Sequence, residues 1–212
     1  ARPSVQAIVA VLAQDLRARG IVRPHVCGNS LGGWISLELV RRGLVQSATA
    51  LSPGGGWDRP EDFKGVLKMF RIVFAVVTVL MVISALFLRF GFVRRLLNKQ
   101  AMLHGDRVPP AELKGALNAI RNTKIMPRLL ANIGETGPIQ PLDVGDTPVT
   151  IAWAEKDLVI PYETFGRPIL ARVTGARALT MPGVGHVPMY DDPEQVVDII
   201  LQTTTQAEAV TP

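Results

Sequence analysis

A serine lies between two glycines at the point where a strand-like stretch meets a helix-like one. Residues 28–32 read Gly-Asn-Ser-Leu-Gly, with the short apolar segment 25–27 before them and an apolar-periodic run over residues 33–42 after them. A strand that turns abruptly into a helix exposes the serine hydroxyl, and small flanking residues avoid a clash in the turn. The pattern predicts a nucleophile elbow in an α/β protein, with Ser30 as the nucleophile.

Two further chemical groups follow strand-like segments later in the chain. Asp157 comes after the apolar run at residues 148–154, and His186 comes after the run at residues 176–181. Open α/β sheets place their chemistry beyond the carboxyl ends of the strands, so these side chains are expected near Ser30. The order serine, aspartate, histidine differs from the orders found in chymotrypsin and subtilisin.

Residues 26–33, 153–161 and 182–194 resemble the nucleophile, acid and histidine motifs of the serine-dependent α/β-hydrolase superfamily, in its esterase- and lipase-like branch with a helical cap. The resemblance implies the α/β-hydrolase fold, a parallel sheet flanked by helices. It also implies Ser30 as nucleophile, His186 as general base and Asp157 as the orienting acid. The backbone N–H of Leu31 is the expected first oxyanion donor. No cofactor is implied.

The first residue is Ala1, and residues 4–19 fit the helix that precedes the fifth strand of this fold. The resemblance therefore implies a partial sheet of strands five to eight, with the earlier strands and the loop of the second oxyanion donor upstream of residue 1. We expect Val26 and its neighbours to form an open sheet edge. Cys27, in the same strand, is expected to be a buried small hydrophobe.

Between residues 57 and 140 the alternation of strands and helices gives way to helical sequence. We expect residues 1–56 and 141–212 to form the hydrolase core, with residues 57–140 as a helical cap or lid. Residues 61–135 contain 12 Lys and Arg against 5 Asp and Glu, so the positive charge is concentrated in the cap. Residues 203–212 are expected to be a polar, frayed tail.

Residues 72–88 are seventeen positions without a formal charge, bracketed by Arg71 and Arg89. A helix of that length spans about 25 Å, just short of a bilayer core. We favour a buried or substrate-facing cap helix, keep contact with a membrane surface as an open alternative, and disfavour a span. Either of the first two interpretations implies a hydrophobic acyl substrate.

Four residues near these motifs are candidates for substrate contact: Asn29, Trp57, His104 and Val187. His104 has no spaced His, Cys or carboxylate partner, so a structural or surface role competes with contact from the cap, and no metal site is predicted. Like Asp191, Asp192 follows His186 closely and could compete with Asp157 for the histidine. Its position before Pro193, with Gln195 three residues on, fits a helix N-cap far better.

The sequence thus predicts a serine hydrolase that cleaves a carboxylic ester or related acyl bond of a small hydrophobic molecule. The alternative is a non-catalytic member of the fold that binds a ligand or associates with a membrane. The serine argues against epoxide hydrolases and haloalkane dehalogenases, relatives with aspartate as nucleophile. The basic residues are not interleaved with aromatic ones, so nucleic acid is not expected as a partner. We expect a cytoplasmic location, with membrane association open, and the sequence does not predict the oligomeric state.

Overall fold

The computed structural model describes residues 2–123 and 125–210 of the 212-residue chain. At some helical positions it describes the backbone but not the side chain: residues 73, 74, 76–86, 121 and 210.

Four parallel strands form the main sheet. In chain order the strands are β1 (His25–Asn29), β2 (Ser47–Leu51), β3 (Leu142–Asp143), β4 (Val149–Ala154), β5 (Val173–Thr174) and β6 (Arg177–Met181). The sheet order is β1-β2-β4-β6, while β3 and β5 form a separate parallel pair. All four main strands therefore end at one edge of the sheet, as the α/β-hydrolase prediction requires.

Helices pack around this sheet and fill the long segment between β2 and β3. They are α1 (Val5–Ala18), α2 (Leu31–Arg41), α3 (Pro60–Phe87), α4 (Gly91–Asn98), α5 (Pro110–Asn122), α6 (Met126–Thr136), α7 (Arg167–Arg172), α8 (Pro188–Asp191) and α9 (Pro193–Val210). The predicted helices and strands around the three chemical groups are confirmed within about two residues at each end.

The core lies on both faces of the two inner strands. Every residue of β2 and β4 is buried, as expected for parallel strands covered by helices on both sides. Val5 and Val9 of α1 join the larger core cluster, while Val196 and Ile199 of α9 pack with Met181 in a second cluster. This packing holds the sheet rigidly, so the loops at the carboxyl ends of its strands start from fixed positions.

Strand β1 forms the edge of the sheet and, in the described part of the chain, pairs with β2 alone. This confirms the predicted position of Val26 in an edge strand. Cys27 is exposed, so the prediction of a buried thiol is wrong. The physical reason is the edge itself, because no described element covers that side of β1.

Helix α9 continues well into the predicted tail. Thr203 is buried, and its Oγ1 lies 2.7 Å from Oγ1 of Thr150 and 2.8 Å from the carbonyl oxygen of Ile199. Ala207 is buried one turn later. The frayed-tail prediction is therefore wrong for residues 203–210, because small residues at helical spacing continue the packed face of α9. Residues 211 and 212 lie outside the described part.

The helical insertion leaves and rejoins the core at one place. The N–H of Ile139 donates to the carbonyl oxygen of Gly55 at 2.9 Å, which joins the two stems. Arg172 donates to the carbonyl oxygen of Trp57, and Arg41 donates to that of Gln140. The domain boundaries expected at residues 57 and 140 stay a prediction. The role of the insertion as a cap stays a prediction.

Among the residues whose side chains the structure describes, no helix is long and apolar enough to cross a bilayer. Most side chains of residues 72–88 lie outside the description. The expectations for that run therefore stay predictions.

Candidate active site

Ser30 occupies a sharp turn between β1 and α2. Its φ of 56° and ψ of −117° are unfavourable for a residue with a side chain, and such strain costs on the order of 1–3 kcal/mol. Two hydrogen bonds hold the turn: the Ser30 N–H donates to Leu51, and the Ser30 carbonyl accepts from Gly54. The local geometry is that of the predicted nucleophile elbow.

Glycines permit the close packing of this turn. A Cβ at Gly28 would lie 2.2 Å from the carbonyl carbon and oxygen of Gly32, and a Cβ at Gly33 would lie 2.9 Å from Cβ of Pro53. A Cβ at Gly32 would meet no atom within 4 Å. The close approaches therefore occur at Gly28 and Gly33, and the second glycine of the serine motif is sterically free.

His186 and Asp157 form a buried pair. Nδ1 of His186 lies 2.7 Å from Oδ2 of Asp157, and each residue is 5% exposed. The other carboxylate oxygen, Oδ1, accepts the N–H groups of Val159 and Ile160 at 3.0 and 2.8 Å. An ionised carboxylate only accepts hydrogen bonds, so the proton of this pair belongs on Nδ1. Nε2 of His186 is then free to accept a proton.

Asn29 fixes the histidine loop beside the elbow. Its Nδ2 donates to the carbonyl oxygen of His186 at 2.8 Å and to that of Leu51 at 3.1 Å. Because Asn29 directly precedes Ser30, this bond brings the histidine loop to the serine. Among the described residues no hydrogen bond joins Ser30 to His186, and catalytic hydrogen bonds often tighten only when substrate binds.

An apolar cavity of about 130 Å³ opens at Ser30. Its walls come from α2, the loops after β2 and β4, and helices α3 and α6, and they are largely aromatic and aliphatic. The lining includes Leu31, Trp34, Trp57, Phe63, Phe70, Leu129, Leu130, Ile133, Val159 and Phe165. Ser30 therefore borders a space suited to an apolar group.

The candidate contact residues lie in different places. Trp57 lines the cavity and stacks on Phe63, with ring centroids 4.5 Å apart. Asn29 donates through its amide nitrogen to two backbone carbonyls and does not line the cavity. His104 and Val187 are not among the cavity-lining residues, and Val187 packs against the small core of the insertion. Substrate contact by these four residues stays a prediction.

Sequence reasoning missed the role of Asp191. This buried carboxylate accepts the N–H of Gly185 at 2.8 Å, and Gly185 directly precedes His186. It also accepts the N–H groups of Leu103 and His104, at 3.0 and 2.7 Å. One side chain thus joins the helical insertion to the histidine loop. The signal in the sequence was a second acidic residue beside Asp192: because Asp192 caps the following helix, Asp191 is left for another role.

Asp192 has the role that its sequence context predicts. Its Oδ1 accepts the N–H of Gln195 at 3.0 Å, at the start of α9. The Gln195 side chain also donates to Oδ2 of Asp192, at 3.1 Å. These two hydrogen bonds lower the pKa of the Asp192 carboxyl from its ordinary value, so this N-cap is charged at neutral pH. Among the described residues no group of three or more His, Cys, Asp and Glu side chains is placed to hold a metal ion.

A family model described as the alpha/beta hydrolase family matches residues 2–199. The chain belongs to the alpha/beta hydrolase family. A relative, epoxide hydrolase EphH of Mycobacterium tuberculosis, is 32% identical over 179 residues, which cover 83% of this chain and 83% of the relative.

Solved structures of other alpha/beta hydrolases share the fold. A thermophilic esterase from Thermogutta terrifontis matches with a TM-score of 0.66 and 16% identity, over 98% of this chain and 74% of that one. The enol-lactonase from Burkholderia xenovorans LB400 matches with a TM-score of 0.62 and 12% identity, over 96% of this chain and 74% of that one. At such identities the likeness concerns the fold alone.

Proposed function

We propose that this alpha/beta hydrolase cleaves a carboxylic ester, or a related acyl bond, of a small hydrophobic molecule through an acyl-serine intermediate. The observation that carries the proposal is the buried His186–Asp157 pair, tied through Asn29 to a strained serine elbow. That combination is the one needed to activate a hydroxyl group as a nucleophile.

In the first half of the reaction Ser30 Oγ attacks the acyl carbon while Nε2 of His186 takes its proton. Asp157 stabilises the resulting imidazolium through the hydrogen bond to Nδ1. When the tetrahedral intermediate collapses, the bond to the leaving oxygen breaks and His186 returns the proton to that oxygen. The products of this step are the free alcohol and the acyl-serine.

In the second half a water molecule takes the place of the alcohol. His186 accepts a proton from the water as its oxygen attacks the acyl carbon, and the Ser30–acyl bond then breaks as the proton passes to Ser30 Oγ. The acid leaves and the hydroxyl is restored. Each half needs one base that becomes an acid, which is the role of His186.

The negative charge of each tetrahedral intermediate needs hydrogen-bond donors. Leu31 is the first residue of α2, so its N–H has no carbonyl partner one turn earlier in the helix. The helix N-terminus also carries partial positive charge, which favours an oxyanion there. These features support Leu31 as the first oxyanion donor.

The cavity size supports a short acyl group. Its 130 Å³ is comparable to engineered apolar cavities that hold one benzene molecule, at about 150 Å³. A second cavity, of about 310 Å³, adjoins it, and the side chains of Phe70 and Leu130 line both. These two side chains therefore form a partition that limits the length of the acyl chain.

We expect kcat/KM for p-nitrophenyl esters to be highest for acyl chains of about four to six carbons. Leu130→Ala should join the two cavities and raise kcat/KM for a decanoate ester relative to butanoate by roughly tenfold. The control is Leu201→Ala, the same change at an exposed position of α9. An unchanged chain-length profile in Leu130→Ala would contradict the partition.

Epoxide hydrolysis is the second candidate, favoured by the relative EphH. Attack by Ser30 on an epoxide carbon would form an ether, which has no carbonyl carbon for water to attack. The covalent route would therefore stop after one turnover at a serine. Hydrolysis of an epoxide would instead need the His186–Asp157 pair to activate water directly.

Active-site labelling tests the acyl-serine proposal. A fluorophosphonate probe is expected to label the wild-type protein at Ser30, as identified by peptide mass spectrometry, and labelling should be absent in Ser30→Ala. Absence of labelling together with diol release from styrene oxide by Ser30→Ala would favour the second candidate. Absence of labelling and of all hydrolysis would favour the non-catalytic alternative.

A further inference from the structure

Helix α4 and the turn before it expose an unusual amount of apolar surface. The α4 surface consists of Phe87, Phe90, Phe92, Leu96 and Leu97, all exposed, and α4 itself has no buried residue. Phe92 and Leu96 are one turn apart and are 72% and 62% exposed. The large apolar residues of this helix are therefore exposed to water, which is unfavourable unless another surface covers them.

Cations alternate with these apolar side chains along the sequence. Arg89, Arg95 and Lys99 are exposed, and none of the three is paired with a carboxylate in the part of the chain that the structure describes. The guanidinium of Arg89 lies 4.7 Å from the ring centroid of Phe90. From residue 63 to residue 105 the sequence contains seven Lys and Arg and no Asp or Glu.

The helix is held to the insertion by polar contacts on its inner side. Arg94 donates to the carbonyl oxygens of Leu88 at 2.8 Å, Arg89 at 3.0 Å and Asp106 at 2.7 Å. These bonds fix the orientation of α4 without using its apolar residues. The exposed face of α4 is therefore held in a defined orientation.

The shape and charge of the α4 surface indicate which kind of partner covers it. A second copy of this chain docked across a twofold axis would face the same patch, so the unpaired cations would repel one another. The exposed rings and leucines line none of the cavities described in this structure. Exposed apolar side chains among unpaired cations match the interface of a bilayer that carries anionic headgroups.

We propose that the α4 surface docks the protein on anionic lipid bilayers. Phe92 and Leu96 insert between the headgroups, while Arg95 and Lys99 contact lipid phosphates and carboxylates. This site shares only Phe87 with the apolar run of residues 72–88, and its other residues follow that run in the chain. The proposal does not depend on the reaction at Ser30.

Sedimentation of the full chain with large vesicles tests the proposal. We expect binding to phosphatidylcholine vesicles that contain about 30% phosphatidylserine, with weaker binding to pure phosphatidylcholine and at about 0.5 M salt. Arg95→Gln with Lys99→Gln should weaken partitioning roughly 25-fold, at about fivefold per cation. Phe92→Ser with Leu96→Ser should weaken it about tenfold or more.

The matched control is Val11→Ser with Val22→Ser, which removes two apolar side chains that are 67% and 84% exposed but lie outside the insertion. This variant should bind vesicles as the wild type does. Wild-type binding by both α4 variants would overturn the proposal. It would also be overturned if the wild type ignores vesicles and forms a dimer that Phe92→Ser with Leu96→Ser dissociates.

Discussion

Ser30→Ala is expected to lower kcat/KM for a butanoate ester by roughly 10⁴-fold or more. Without the hydroxyl group no acyl-serine can form, and His186 has no proton to accept from residue 30. The measurement is the steady-state rate with p-nitrophenyl butanoate, at enzyme concentrations high enough to quantify the residual activity. A loss below about tenfold would contradict the role of Ser30 as nucleophile.

Two companion variants separate catalysis from folding. Ser36→Ala changes a serine one turn into α2 whose Oγ donates, among the described residues, to the carbonyl oxygen of Gly32 alone. This variant should keep activity within about threefold. Ser30→Gly should be inactive but more stable by about 1–2 kcal/mol, because glycine adopts a positive φ without strain. Thermal unfolding measures this difference.

Gly28→Ala is expected to destabilise the protein by about 4 kcal/mol or more. The added Cβ would lie 2.2 Å from backbone atoms of Gly32, and backbone in the first turn of a helix cannot rotate away as a flexible side chain can. We expect a melting temperature lower by roughly 10 °C, or loss of soluble protein, together with loss of hydrolysis.

Gly32→Ala is the matched control for that change. It adds the same methyl group within the same motif, but at a position with open space and helical backbone. Its stability should stay equal or rise by up to about 1 kcal/mol, since alanine favours a helix. Equal destabilisation by both substitutions would contradict the steric account of the elbow.

The sequence was sufficient to predict the parts of the site that depend on local chemistry. The elbow followed from a serine among glycines at a strand-to-helix boundary, and the Asp192 cap followed from its place before Pro193. The edge position of β1 followed from the resemblance. In each case the deciding interactions lie within a few residues, or follow from the strand order of the fold.

Other features depended on contacts between distant segments. Thr203 looked like part of a polar tail until it was placed against Thr150, more than fifty residues earlier in the chain. Cys27 looked buried because its strand is apolar, yet burial depends on the neighbour of that strand. The exposure of Phe92 likewise depends on the orientation of α4, which is set by the hydrogen bond from Arg94 to the carbonyl oxygen of Asp106.

The carboxylate of Asp191 has a consequence for protein engineering. Since Gly185 and the turn at residues 103 and 104 share this one acceptor, the insertion is not an interchangeable module. A chimaera that carries another hydrolase's helical insertion would leave the buried Asp191 side chain short of two of its hydrogen-bond donors, beside the loop that carries His186. Successful grafts would have to import the turn together with the helices, or replace Asp191 at the same time.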